Sequence, residues 1–274
     1  MPIRLKDCLS GFRELKLNSN PVIAHASLSA LGEIEGGVET LLNALLDSVS
    51  ALVMPTFTYK TMLTPDVGPP DNALKYGCAR DANRMAEAFL PDMPADKMMG
   101  VLPEALRRQP RARRSAHPIL SFAGVNADAA LDAQTRLDPF APIGVLAEQG
   151  SWVLLMGVEH TVNTSIHYAE KLAGRKQFIR WALTPERIVE CPGWPGCSRG
   201  FQAIAPDVDG MARRARIGKA DVQAIPLAGL FEAVIARIKK DPLALLCQQG
   251  DCERCNVIRN ARRLPAWCSC FIET

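Results

Sequence analysis

A chain of 274 residues with 48% hydrophobic side chains can bury a substantial core, as one large domain or two small ones. Its formal charge of +3 demands no anionic partner, and no apolar stretch approaches the length needed to span a bilayer. Nine cysteines, an odd number scattered through the chain, fit free thiols better than a disulfide framework, and with the charged start at residues 1–8 they lead us to expect a cytoplasmic protein.

Taken in order, residues 7–17 predict a short helix and residues 21–25 a buried strand. That strand ends at His25 and runs into Ala26, Ser27, Leu28 and Ser29, whose small size and hydroxyls suit contact with phosphate or carbonyl oxygens; ordinary turn chemistry also accounts for this segment alone. Leucines at helical spacing predict a helix over 38–49, and residues 51–54 a second strand closed by residues 55–59. Clefts in open α/β sheets form where strand ends gather, so His25, Ser27, Thr56 and Thr58 are candidates for one site. The proline-rich residues 63–73 read as a loop, either a connector or a cover over a cleft. A helix begins near Met98 with Pro103 in its first turn. The cluster of Arg107, Arg108, Arg111, Arg113 and Arg114, with Ser115 and His117 beyond it, suits a solvated face, cofactor phosphates or nucleic acid. Residues 119–125 predict a strand, 138–144 a loop, 145–149 a helix and 152–158 the strongest strand of the chain.

That last strand feeds Asn163-Thr-Ser-Ile-His-Tyr-Ala-Glu170, a helix start that Asn163 or Thr164 can cap. Residues three apart on a helix share a face, so Glu170 can reach one imidazole nitrogen of His167 and leave the other free as a base. On spacing alone, a helix-start histidine with a surface ion pair explains the same pattern. Gly174 is placed to end this helix.

Four ordered stretches, His25-Ala-Ser-Leu-Ser-Ala-Leu-Gly32, Val53-Met-Pro-Thr-Phe-Thr58, Arg114-Ser-Ala-His-Pro-Ile-Leu-Ser121, and Leu154-Leu-Met-Gly-Val158 leading to Thr164-Ser-Ile-His-Tyr-Ala-Glu170, together resemble the aminoglycoside 3-N-acetyltransferase family. The resemblance implies an α/β layered fold with a central sheet flanked by helices, distinct from GCN5-type acetyltransferases, in one domain spanning 1–274 with a cysteine-rich extension from about 245. It implies direct acetyl transfer from acetyl-CoA to an amine, the 3-amine of a 2-deoxystreptamine aminoglycoside or another small-molecule amine, with His167 as base and Glu170 as its orienter. His25, Ser27, Leu28, Ser29 and Thr58 match the family's acetyl-CoA cleft, and Arg114 with Ser115 matches its R-S-x-H-P motif, placed to hold CoA. The chain departs from the family at Ala26, where a serine is common, and at Ala141 before Pro142, where Ser-Pro is usual. A polycationic acceptor requires carboxylates, for which Asp66, Asp71 and Glu170 are candidates. No membrane or nucleic-acid partner is expected.

The C-terminal third adds a turn-rich Cys191-Pro-Gly-Trp-Pro-Gly-Cys197, similar to a cysteine-containing loop in one branch of the family. Residues 227–239 predict an amphipathic helix. Cys252 with Cys255 and Cys268 with Cys270 have spacing compatible with a four-thiolate zinc knot, Cys247 being a fifth candidate. Acetyl transfer needs no metal, so the reading favours thiols that pack without an ion. A zinc module beside two arginine clusters also describes a nucleic-acid-binding or adaptor protein, but aromatic interleaving is lacking and the net charge is small. A CoA binder without activity is a third reading, against which the intact His167 and Glu170 stand.

Overall fold

The computed structural model describes residues 1–17, 20–77 and 83–261. Strands β1 (Pro21–Ala26), β2 (Ala51–Pro55), β3 (Met62–Leu63), β4 (Arg113–Arg114), β5 (Phe122–Val125), β6 (Trp152–Met156), β7 (Phe178–Leu183), β8 (Ile188–Trp194), β9 (Arg213–Ile217) and β10 (Ala220–Pro226) form two sheets. The larger has the order β4-β5-β2-β1-β6-β10-β9, and the smaller the order β3-β7-β8. At the centre of the larger sheet, β1 runs parallel to β2 and to β6, with Ile23 opposite both Val53 and Val153. Strands β5 and β10 flank this trio antiparallel.

Side chains alternate across a strand, so a strand covered on both faces must be apolar at every position. The sequence of β6 meets that demand, and that of β1 does so up to His25, which stands at the cavity edge. Ile23, Val153 and Leu155 enter one core cluster, while Val22, Ala24, Leu154 and Met156 enter the other. Helices α1 (Leu5–Glu14), α3 (Gly37–Leu46) and α4 (Val101–Arg108) cover the second face through residues such as Phe12, Leu41, Leu45 and Leu106; the short α2 (Leu28–Leu31) follows β1 directly. The first face is covered by α5 (Asp128–Asp132), α6 (Ala141–Glu148), α7 (Ser165–Leu172), the short α8 (Ala205–Val208) and α9 (Leu227–Lys240). In α9 the buried Leu227, Leu230, Phe231, Val234 and Ile238 repeat at helical spacing, and truncating one such side chain to Ala costs about 2–5 kcal/mol. The last described helix, α10 (Glu253–Ala261), packs into a small third cluster with Cys197, Leu246 and Cys247.

The layered α/β expectation holds, with local differences. The helix expected at 145–149 begins at Ala141, because Pro142 is acceptable in a first turn where its missing N–H has no intrahelical partner. Of the stretch expected to be turn-rich, Cys191–Trp194 instead continues β8, whose register against β7 is interrupted between Phe178 and Arg180, while residues 195–197 are irregular. The hairpin β9–β10 was not evident in the sequence, where the charges of Arg213, Arg214 and Arg216 mask an edge strand. Among the described residues, no helix is long and apolar enough to cross a membrane.

Candidate active site

The three parallel strands deliver their C-terminal ends to one edge of the sheet, the position where open α/β sheets form ligand clefts. A cavity of about 1010 Å³ lies there. His25, Ser27, Leu28 and Ser29 line it from the end of β1, Phe57 and Tyr59 from beyond β2, and Val158, Asn163, Thr164 and His167 from beyond β6. Residues 194–199 and Arg254 close the far wall.

Helix α7 sets the central pair. Asn163 Oδ1 accepts from the Ser165 N–H at 3.1 Å, satisfying one of the free donors of the first turn, while Thr164 stands at the cap position without a side-chain bond. One turn in, His167 Nδ1 lies 3.1 Å from Glu170 Oε2. A carboxylate only accepts, so Nδ1 carries the hydrogen and Nε2 keeps its lone pair. The ring is held by Phe140, stacked at 6.0 Å, and by the edge of Phe201 at 4.7 Å. Glu170 is not the end of the chain of contacts, because its Oε1 accepts from Arg175 at 2.7 Å.

Local backbone chemistry explains that contact. Gly174 adopts φ +75°, where a side chain would be strained, and reverses the chain at the helix end. The Arg175 N–H then returns to Glu170 O at 2.9 Å and the Gly174 N–H to Lys171 O at 3.0 Å, the bond pattern of a Schellman cap. The cap thus carries the Arg175 guanidinium back beneath Glu170, where it also donates to the carbonyls of Pro242 and Ala244, each at 2.9 Å.

His25 is buried at the cavity edge, and its Nε2 has no hydrogen-bond partner among the described residues. Burial holds its pKa down to about 4, so the ring is neutral at pH 7. Ser27 and Ser29 place their hydroxyl oxygens 3.1 Å apart beside it. Burial, reinforced by Asp96 and opposed by Arg254, pushes the Tyr59 hydroxyl up to about 12, which keeps it a protonated donor.

Three predicted residues lie elsewhere. Arg114 was expected to hold CoA, yet its guanidinium is turned inward, donating to the carbonyls of Thr56 and Met93 and to Ser121 Oγ. Ser115 exchanges hydrogen bonds with Phe122, its Oγ accepting from the N–H and donating to the carbonyl. Thr58 Oγ1 donates to Pro118 O at 2.8 Å. Arg114 and Thr58 tie the loop between β4 and β5 to the segment after β2, Ser115 closes that loop on Phe122, and none of the three lines the cavity. Thr56, the fourth strand-end candidate, is likewise buried against Ser121. His117 belongs to the same brace, its Nδ1 accepting from the N–H groups of Ile119 and Leu120.

The other arginines of that cluster are largely matched by acids. Arg107 and Arg108 pair with Glu104, and Arg113 with Asp128 and Asp132. Asp66 and Asp71 are exposed and away from the cavity. Sequence reasoning missed Arg175, Trp194, Arg199 and Arg254. The only signal for Arg175 was its position directly after a helix-ending glycine; for the other three, which reach the cavity from distant segments, there was none.

Fold and cavity together define an α/β enzyme with its pocket over the ends of parallel strands. The family model described as aminoglycoside 3-N-acetyltransferase matches residues 23–239. Aminoglycoside N(3)-acetyltransferase VII of Streptomyces paromomycinus is 38% identical over 79% of this chain and 82% of its own. Aminoglycoside N(3)-acetyltransferase IX of Micromonospora chalcea is 32% identical over 78% and 85% respectively. Among solved structures, the aminoglycoside acetyltransferase AAC(3)-IVa apoenzyme shares the fold with a TM-score of 0.77 at 22% identity, over 95% of this chain and 98% of that one. The chain belongs to the aminoglycoside 3-N-acetyltransferase family. It is an N-acetyltransferase, and its fold is not of the GCN5 type.

Proposed function

We propose that this enzyme transfers acetyl from acetyl-CoA to an amino group of an aminoglycoside, the 3-amine of a 2-deoxystreptamine ring, with His167 as general base. The observation that supports the reading is the hydrogen-bonded line His167, Glu170, Arg175, which holds Nδ1 on a carboxylate while the same ring lines the cavity. Nε2 accepts the proton of the attacking amine as the new C–N bond forms; the imidazolium is stabilised by Glu170, and the C–S bond of the thioester then breaks to release CoA thiolate. Ser27, Ser29 and the free N–H groups at the first turn of α2 are the donors assigned to the thioester oxygen. A protein of the same fold, AAC-IIIb, was solved as a binary complex with CoASH; it is 22% identical with a TM-score of 0.69.

One observation favours a second acceptor class. Arg199 and Arg254 line the cavity, and no carboxylate does so among the described residues. That surface suits an amine bearing a carboxylate or phosphate better than a polycation. Both readings are tested by CoA-thiol release from acetyl-CoA, with a panel of aminoglycosides and a panel of anionic amines, and His167→Ala alongside. Release with aminoglycosides that disappears in the variant supports the first reading. Release with anionic amines alone transfers the assignment to the second, and acceptor-dependent release undiminished in folded His167→Ala removes the base.

A further inference from the structure

Behind the far wall of the cavity, four thiols from three separate segments converge. Cys197 follows β8, Cys247 lies in the turn after α9, and Cys252 and Cys255 flank the start of α10. Their sulfurs all lie within 4.8 Å of one another. Cys197, Cys247 and Cys255 are buried, Cys252 is half-buried, and none of the four is in a disulfide. Thiols at ordinary packing contact have no reason to gather in a four-cornered group, whereas a tetrahedral ion with bonds of about 2.3 Å draws sulfurs to roughly 3.8 Å from each other.

We propose that Cys197, Cys247, Cys252 and Cys255 bind one structural zinc ion as a four-thiolate site. The quartet differs from the one suggested by spacing, since Cys268 and Cys270 lie outside the described residues, while Cys197, fifty residues upstream of Cys247, enters only through the fold. Zinc with four thiolates carries a net charge of −2, and guanidinium groups surround this cluster. Arg259 donates to Cys247 O, Arg254 to Gly196 O and Arg199 to Gln249. Such outer contacts orient ligands and offset their charge.

The surrounding structure gives the ion work to do. The apolar material here is small, Leu246 and Ile258 with the cysteines themselves. Along Glu253–Ala261 only Cys255 and Ile258 are buried, so this part of α10 has few apolar contacts to anchor it. An ion joining its first turn to residue 197 fixes the wall segment 194–199, and it does so without contributing to the acyl chemistry. All four ligands are closed by protein, as in structural rather than catalytic zinc sites.

The test uses the full chain, expressed with zinc and dialysed. Elemental analysis should find about one zinc per chain. Replacement by cobalt should give the intense visible bands and thiolate charge transfer of a tetrahedral sulfur site. Cys197→Ser should lower zinc content to about a tenth or less, whereas the Cys268→Ser/Cys270→Ser double variant should retain it. Cys247→His, which replaces one zinc ligand by another, should bind metal and guards against reading misfolding as ligand loss. Wild-type protein without zinc, a cluster of iron in its place, disulfides among these four cysteines in the purified chain, or zinc lost only in the Cys268/Cys270 variant would each overturn the assignment.

Discussion

Arg175 reaches the face of Glu170 opposite His167, its guanidinium 2.7 Å from Oε1, and both side chains are only 2% exposed. An ion pair so deeply buried gains little over an apolar pair but is costly to break, because the remaining charge has no water to turn to. Arg175→Ala should therefore destabilise the protein by about 3–5 kcal/mol in urea titration. Turnover of the folded fraction should fall as well, since Glu170 loses the contact that holds it against His167.

His167→Ala should lower turnover of the folded protein about a hundredfold or more, the range of general-base loss, together with a modest fall in the denaturation midpoint as Glu170 Oε2 loses its partner. Circular dichroism on the same preparation separates lost chemistry from lost fold.

Arg114→Ala discriminates between the role suggested by its motif and the role given by its contacts. With four acceptors losing the Arg114 donor, the carbonyls of Thr56, Pro91 and Met93 and Ser121 Oγ, stability should drop by about 2–4 kcal/mol. The KM for acetyl-CoA should stay within about twofold of the parent, measured below the midpoint of unfolding. A large rise in KM without loss of stability would restore Arg114 to the cofactor site.

Acid should unfold the protein in a window set by histidines. Burial lowers His25, His117 and His160 to about 4, so each is neutral in the folded state well below the pH at which an unfolded histidine, near 6.5, takes up its proton. Stability is thus intact above about 6.5, declines as pH falls, and has lost this contribution fully near 4. For His25 and His117 the loss is on the order of 3 kcal/mol each. Glu104 acts in a lower window. Burial raises it, but hydrogen bonds from Arg107, Ala95 N–H and Arg108 prevail and hold it to about 2, so its stabilisation disappears only as pH falls below the usual carboxylate range. His117→Asn keeps an acceptor for the N–H groups of Ile119 and Leu120 and cannot protonate; its midpoint in urea should depend less steeply on pH between 6.5 and 4.5.

Much of the candidate site was legible because it is local. Asn163, His167 and Glu170 lie within one helix turn or two of each other, and the fixed geometry of a helix converts spacing directly into contact. The strand-end group of His25, Ser27, Leu28 and Ser29 was legible for a similar reason, since β1 is apolar from Pro21 to Ala24 and its end marks a sheet edge. The R-S-x-H-P stretch was read as a cofactor contact, whereas Arg114 and Ser115 are bonded within the fold and do not line the cavity. Its arginine and hydroxyl have the chemistry of a phosphate binder, and the sequence does not show that acceptors on Thr56, Met93 and Ser121 lie within reach of the guanidinium.

The amino-acid sequence by itself determined the layered α/β class, the family, the central parallel strands and the histidine–carboxylate pair, all of which rest on short-range periodicity, helix caps or ordered local motifs. Only the tertiary structure decided that Arg175 fixes Glu170, that Arg114 is an internal strut, that Arg199 and Arg254 face the cavity, and that Cys197 joins Cys247, Cys252 and Cys255. The physical reason is separation along the chain. A side chain's partners beyond a turn or two depend on how whole layers pack, and the chemistry of an arginine or a cysteine does not itself state whether a phosphate, a carbonyl or a metal will meet it.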